Sequence, residues 1–443
     1  MVSPVSAGSK PTYTPEFEKG VYRRVTYRII PFLFLCYIFA YVDRVNVGFA
    51  KLQMQQDLGI SDAVYGTAAG IFFIGYFFFE VPCNIALQKI GAKFWLGPIM
   101  IVWGLVSACT MFVKGEFSFY AVRLLLGVVE SGFFPGVILY LTFWYPSKYR
   151  AKMVSAFMTA IPLSGVIGGP ISGWLLDRMT SVGGLRGWQW LFLCEAVPSI
   201  LAGFAAMIFL HDAPQRAKWL DEQERSLLVQ RLEEDEVAKR TGTGEHHRHD
   251  LSGAFRSPKV WLLCLVYFGV VTGNYGVNFW LPQILKDTLT KDPFKIGLLT
   301  MIPWAFAAVA MLLVGQHSDA TGERRWHVAL AAIAGTVGLA VSSIPGISGV
   351  VGLAALTLAA GGIISSSSTF WSLPTLYLSG TAASAGIALI NSIGNLGGFV
   401  GPFAIGKIHD ETHSITLALV FLACCCLMSA VIAVGCFKRK KTG

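Results

Sequence analysis

The sequence predicts an all-α integral membrane protein, with twelve transmembrane helices in two pseudo-symmetric six-helix halves. Three observations lead there. Of the 443 residues 54% are hydrophobic and only 14% charged, with a mean hydropathy of +0.58, whereas a soluble chain carries about 25% charged residues. The apolar residues gather into twelve runs, each long enough at ~1.5 Å per residue to cross a hydrocarbon core. One long hydrophilic interval, 211–257, divides these runs six and six, and features of the first set recur in the second.

Taken in order, residues 1–28 form a polar N-terminus ending in Arg23, Arg24 and Arg28, which places it in the cytoplasm. The expected spans are 29–49, 64–86, 94–113, 118–141, 152–175 and 189–210 in the first half (29–210). In the second half (260–436) they are 260–284, 296–314, 327–344, 350–371, 383–405 and 415–436. The first run has no small-residue cleavage site after it, so it reads as a retained span rather than a signal peptide. Basic residues fall in alternate loops (Lys89 and Lys93; Lys148, Arg150 and Lys152; Arg324 and Arg325) and in the tail 437–443. That bias puts both termini inside and explains the net charge of +9 without a nucleic-acid surface.

Within the linker 211–259, the stretch from Asp221 to Lys239 opens with acidic residues and carries Leu220, Leu227, Leu228 and Leu232 at helical spacing. A short amphipathic helix on the cytoplasmic face is expected there. His246, His247 and His249 have no cysteine partner and read as solvated residues rather than metal ligands. All nine cysteines lie in apolar runs with no CxxC pair, so neither a disulfide framework nor a metal site is indicated. No phosphate-binding loop is present and no histidine lies mid-span. An enzyme is therefore not expected, nor any cofactor.

The halves echo each other. Gln88-Lys89-Ile90-Gly91-Ala92-Lys93 follows span two, and Asp319-Ala320-Thr321-Gly322-Glu323-Arg324-Arg325 follows span eight. The run from Gly165 to Pro170 in span five matches that from Gly394 to Phe399 in span eleven. Gly91 to Gly322 and Gly165 to Gly394 are nearly equal separations, as duplicated halves of an alternating-access carrier require.

Charges stand deep inside two apolar runs: Asp43 and Arg44 in span one, Arg123 and Glu130 in span four. Each costs at least ~2.5–3.5 kcal/mol to insert, so such residues face a bundle interior and are functional by default. Arg123 and Glu130, seven apart, share a helix face with Gly127 between them. An arginine fork suits a carboxylate and stays charged when buried. The acids suit proton coupling, because an anion that engages an arginine makes the neighbouring carboxylate easier to protonate, and by linkage protonation favours the anion. The competing reading is that Asp43–Arg44 and Arg123–Glu130 are packing salt bridges.

Asn274, Tyr275 and Asn278 in span seven, Ser368 and Trp371 in span ten, Asn391 in span eleven and Tyr76 in span two offer polar and aromatic surface for a ligand. Lys89, Lys93, Arg150, Asp319 and Arg324 are candidate gating residues at the cytoplasmic loops. Glu80 and Glu195 read as structural, Glu80 placed to pair with a loop cation.

The chain resembles the major facilitator superfamily over essentially its whole length. Gly315, Asp319, Gly322 and Arg324 follow that superfamily's loop signature, with Ala320 where an arginine is usual. In the first-half loop Asn84 and Gln88 depart from it. More specifically the chain is similar to the anion:cation symporter family, which carries sugar-acid, tartrate and aromatic-acid permeases. The residues that carry this likeness are Tyr41-x-Asp43-Arg44-x-Asn46, Glu80-x-Pro82-x-Asn84, Arg123…Glu130-x-Gly132, Trp188-x-Trp190-x-Phe192 and Tyr275-Gly276…Trp280-Leu281-Pro282. The resemblance implies that Asp43 and Glu130 bind protons and that Arg44 helps hold an anionic substrate. The expected protein is a monomeric proton-coupled symporter in a bacterial inner membrane, importing a small organic anion. Anion exchange without net proton coupling is the alternative.

Overall fold

The computed structural model describes residues 13–242, 256–374 and 381–437. His246, His247, His249 and the basic tail from Lys438 lie outside the described residues. Among the described residues all regular structure is helical. Twelve helical stretches are long and apolar enough to span a membrane. The first six are Pro15–Leu58, Asp62–Ile90, Lys93–Phe112, Glu116–Thr142, Ser147–Arg178 and Gly187–Phe209. The second six are Pro258–Thr288, Pro293–Thr321, Arg325–Ser342, Gly349–Phe370, Gly386–Thr412 and Ile415–Cys436.

The span ends follow local chemistry. Hydroxyl or carboxylate caps satisfy the first free N–H groups. Ser61 accepts from the Val64 amide at 3.2 Å, Asp292 from Phe294 at 3.0 Å and Ser414 from Thr416 at 3.2 Å. Gly59 and Gly322 terminate spans one and eight in the left-handed region, at φ of 63° and 64°, where a Cβ would be strained. Span one runs well past the apolar stretch 29–49. Thr14 caps it and Pro15 starts it, and hydrogen bonding continues where hydropathy no longer does.

A helix over Glu222–Gly242 lies between the two sets of six. It buries Leu227 and Leu228 and is tied to the first half by polar contacts. Arg24 pairs with Glu224 at 2.8 Å, Arg231 with Glu18 at 2.7 Å, and the Asp235 carboxylate accepts from the Ser147 amide at 3.1 Å. Phe78, Val81, Ile85, Leu201, Phe204, Ile208, Leu313 and Val431 stand exposed around the bundle, as lipid-facing side chains do.

The halves meet along two pairs of spans related by the internal repeat: five against eight, and eleven against two. Glycines permit the approach. A Cβ on Gly169 would stand 2.9 Å from the Gly297 carbonyl oxygen, and one on Gly70 would stand 2.8 Å from that of Phe399. Both contacts lie on the side of the bundle opposite the chain termini, called the distal side below. Four spans are also interrupted mid-course, at Asn46, at Ser131–Gly132, at Thr159 and at Leu396. The first two interruptions fall directly beside Arg44 and Glu130, so these charges sit near helix ends at mid-membrane depth.

Candidate substrate and coupling site

Consecutive residues on a helix point ~100° apart, and this separates Asp43 from Arg44. Arg44 turns toward spans four and seven. Its Nε donates to Glu130 Oε1 at 2.9 Å, its Nη2 makes a second bond to the same oxygen, and its Nη1 donates to the Tyr275 hydroxyl at 3.1 Å. The guanidinium carbon lies 5.3–5.7 Å from the ring centres of Tyr41, Phe72 and Tyr76, a cation–π setting. Glu130 Oε2 has no hydrogen-bond partner. The working ion pair therefore joins span one to span four, and through Tyr275 it reaches the second half.

Arg123 is fully buried yet makes no ion pair among the described residues. Its Nε and Nη2 donate to the carbonyls of Ala68 and Arg44, both at 3.4 Å, while Nη1 has no partner. Its guanidinium also lies 5.3 Å from the Phe72 ring. The space beside Gly127 belongs to a neighbouring helix, because the Phe72 backbone packs there. Neither Asp43–Arg44 nor Arg123–Glu130 is the pairing formed.

Asp43 turns toward spans three and six. It accepts from Trp103 Nε1 at 3.0 Å, from Ser107 Oγ at 3.2 Å and from Ser199 Oγ. All three donors are neutral. These four charges thus form two environments rather than one quartet: a cluster around the Arg44 guanidinium, and a carboxylate pocket on another face of span one.

The second half completes the wall. Asn278 donates to the Asn274 side chain at 3.0 Å, Asn274 lies 3.5 Å from the Tyr41 hydroxyl, and Tyr275 packs on Phe73 with ring centres 4.3 Å apart. Trp371 meets Tyr267 edge to face at 4.8 Å, and Ser368 is exposed and bonds its own helix at Ser365. Asn391 donates to Glu80 Oε1 at 2.7 Å, so Glu80 finds an amide across the halves rather than a loop cation. Residues the motif reading left out are Tyr267, Phe72, Phe73, Trp103, Ser107 and Ser199. The aromatic ones resemble ordinary packing residues in sequence, and the serines are too short to mark a site without their acceptor.

Among the loop candidates, Arg324 pairs with Asp319 and donates to Ser318 at 3.0 Å, closing the loop within its own half. Arg150 donates to the Tyr145 carbonyl at 3.0 Å and stands 3.8 Å from Asp235. Lys89 is exposed, and Lys93 lies 5.7 Å from the Phe94 ring.

The polar contacts that cross between halves concentrate on the distal side. The Asp410 carboxylate accepts from the backbone N–H groups of Asp62 and Ala63 at 2.9 and 2.8 Å, capping span two from the opposite half. Asp62 also bonds Lys51 and His409, each at 2.6 Å. Lys51 is buried 3.7 Å from the Trp280 ring, and Lys286 donates to the Leu52 carbonyl at 2.9 Å. Hydrogen bonds to a charged group contribute about 1.5–3 kcal/mol each. Asp410→Ala should therefore loosen distal closure and raise amide exchange at the distal ends of spans two, seven and eleven together by at least about tenfold. Hydrogen–deuterium exchange of the reconstituted protein checks this. A rise confined to Asp62 and Ala63 would mean a local cap and no latch.

Two six-helix halves meeting around a buried ion pair are the architecture of a membrane transporter rather than an enzyme. The chain belongs to the Major Facilitator Superfamily, whose family model matches residues 33–402. It is 48% identical over 420 residues to a putative tartrate transporter of Agrobacterium vitis, covering 95% of this chain and 92% of that one. It is 44% identical to the putative metabolite transport protein NicT of Pseudomonas putida, covering 94% of each. The fold matches the xylose transporter XylE from E. coli in its inward-open conformation, with a TM-score of 0.75 at 14% identity, over 94% of this chain and 97% of that one.

Proposed function

We propose that this protein is a proton-coupled symporter that imports a small organic anion across a bacterial inner membrane by alternating access. In this reading it works as a monomer with both termini in the cytoplasm. The observation that carries it is the buried Arg44, whose fork is occupied by Glu130 on one side and by Tyr275 of the other half on the other. A carboxylate arriving in the cavity competes with Glu130 for that fork. If Glu130 takes a proton its claim weakens and the fork turns to the substrate. Arg123, with a free Nη1, supplies a second cation for a dianion. Both arginines sit in a low-dielectric interior where unpaired charge is costly, so the loaded state and the protonated state favour each other.

Specificity in this reading comes from the rest of the wall. Asn274, Asn278, Ser368 and Asn391 offer groups for substrate hydroxyls, and Tyr76, Tyr275 and Trp371 offer faces for C–H groups or a ring. Lys89, Lys93, Arg150, Asp319 and Arg324 act as cytoplasmic gating residues. The name of the Agrobacterium relative supports a hydroxy-dicarboxylate such as tartrate, and sugar acids and aromatic acids suit the same wall.

The test is uptake of a panel of labelled acids into reconstituted vesicles, with an inward proton gradient and with it collapsed. Accumulation of one acid that vanishes on collapse is the expected result. Uptake that requires a trapped counter-anion and ignores the gradient would overturn symport in favour of exchange.

A further inference from the structure

Beyond Asp43 and Glu130 the structure holds a further buried carboxylate that the transport scheme above leaves unused. Glu195 of span six is 6% exposed. Its Oε1 accepts from Ser172 of span five at 2.6 Å, and its Oε2 has no hydrogen-bond partner. Asn46, whose side-chain amide has no hydrogen-bond partner, lines a crevice together with Ser172. Ser199, one helical turn beyond Glu195 on the same span, donates to Asp43.

The groups facing this pair from every packed element are known. Span one contributes Asp43 and Asn46, span three Trp103 and Ser107, span five Ser172, and span six Ser199 and the Cys194 thiol. Glu130 of span four acts on Asp43 at longer range. Among the described residues no cation pairs with either carboxylate. Buried negative charges without a cation are expensive in such an interior.

A narrow crevice between the halves is lined by Asn46, Ser164, Ser172, Asn278, Thr300 and Trp304. It lies on the distal side of Arg44, since Asn46 follows Arg44 toward the distal end of span one. Two of its lining residues, Asn46 and Ser172, are those that flank Glu195.

We propose that Glu195 is a proton-binding site of this transporter, the distal port through which a proton reaches Asp43. A proton taken from water in the crevice adds to the free Oε2 of Glu195. Glu195 then gives this proton up and the Asp43 carboxylate takes it, so one proton has moved inward and no other group has changed. Glu195 returns to its ionised form and accepts the next. The inference rests on the proton-coupled reading above.

The test compares wild type, Glu195→Gln and Glu195→Asp in vesicles, using the acid that the uptake panel identifies. In Glu195→Gln, gradient-driven accumulation should fall at least about tenfold while counterflow at equal pH stays within about twofold of wild type. The dependence of counterflow KM on external pH should flatten, and Glu195→Asp should restore much of both. A Glu195→Gln protein with wild-type accumulation and pH profile overturns the relay and leaves symport intact. Loss of counterflow in a folded Glu195→Gln also overturns it, assigning the residue to packing. Should that variant fail to fold, Ser172→Ala keeps the carboxylate and removes its donor, and an unchanged pH profile there overturns the proposal. A wild type indifferent to the gradient overturns the parent reading, and the relay with it, before any variant is made.

Discussion

Arg44→Lys should lower uptake at subsaturating substrate by about 10- to 100-fold, and Arg44→Ala should abolish it. Lysine keeps the charge but not the planar fork. The fork here makes bonds from Nε and Nη2 to Glu130 and from Nη1 to Tyr275, so an ammonium forfeits at least one charge-assisted bond, worth about 1.5–3 kcal/mol. The loss should fall mainly on KM, since the same fork is the proposed anchor of the substrate carboxylate. Alanine has a further effect, because it leaves the Glu130 charge buried and uncompensated. Removing one partner of such a pair costs about 3–5 kcal/mol of stability, whereas replacing both is often nearly neutral. Thermal unfolding of Arg44→Ala should thus drop well below wild type, and the double variant Arg44→Ala/Glu130→Ala should recover much of the difference. A lysine variant with wild-type KM would remove Arg44 from the substrate site.

Glu130→Gln should abolish gradient-driven accumulation, by at least about a hundredfold, while leaving counterflow measurable. The amide cannot ionise, so it holds the fork in the manner of a protonated glutamic acid at every pH. If protonation favours the anion, wild-type affinity falls as external pH rises, because the ionised Glu130 reclaims Arg44. In Glu130→Gln that fall should be absent over the same range. Asp43→Asn should likewise lose accumulation by a different route: its acceptor atoms lie among Trp103, Ser107 and Ser199, away from Arg44. Measuring accumulation and the pH profile of counterflow KM in both variants checks the scheme. Accumulation at wild-type levels in both would sink proton coupling through these carboxylates.

The membrane-spanning helices were legible because crossing a bilayer is a requirement on composition and length, which a linear sequence displays directly. The repeat was legible for a related reason. Gly169, where span five touches span eight, and its counterpart Gly398, where span eleven touches Phe73 of span two, are glycine in both copies because a Cβ would meet the opposite half. The presence of Asp43, Arg44, Arg123 and Glu130 in apolar runs likewise announced a buried polar site, since the cost of burying them is visible without coordinates.

Partnership was not legible. Arg44 and Glu130 are separated by 86 positions and Arg44 and Tyr275 by 231, and no local pattern reports distances on that scale. Adjacent Asp43 and Arg44 looked like one charged pair, yet the turn of the helix sends them to different faces of span one. Glu195, which reads as structural among its apolar neighbours in span six, gains its further meaning only from Ser172 of span five and from Ser199, which bonds Asp43. By itself the sequence determined how many times the chain crosses a membrane, that two halves repeat, and which residues are too costly to bury without purpose, because these are properties of single segments. Only the tertiary structure decided which charges meet, which face is latched and which carboxylate stands without a cation, because those depend on helix rotation and packing between segments far apart in the chain.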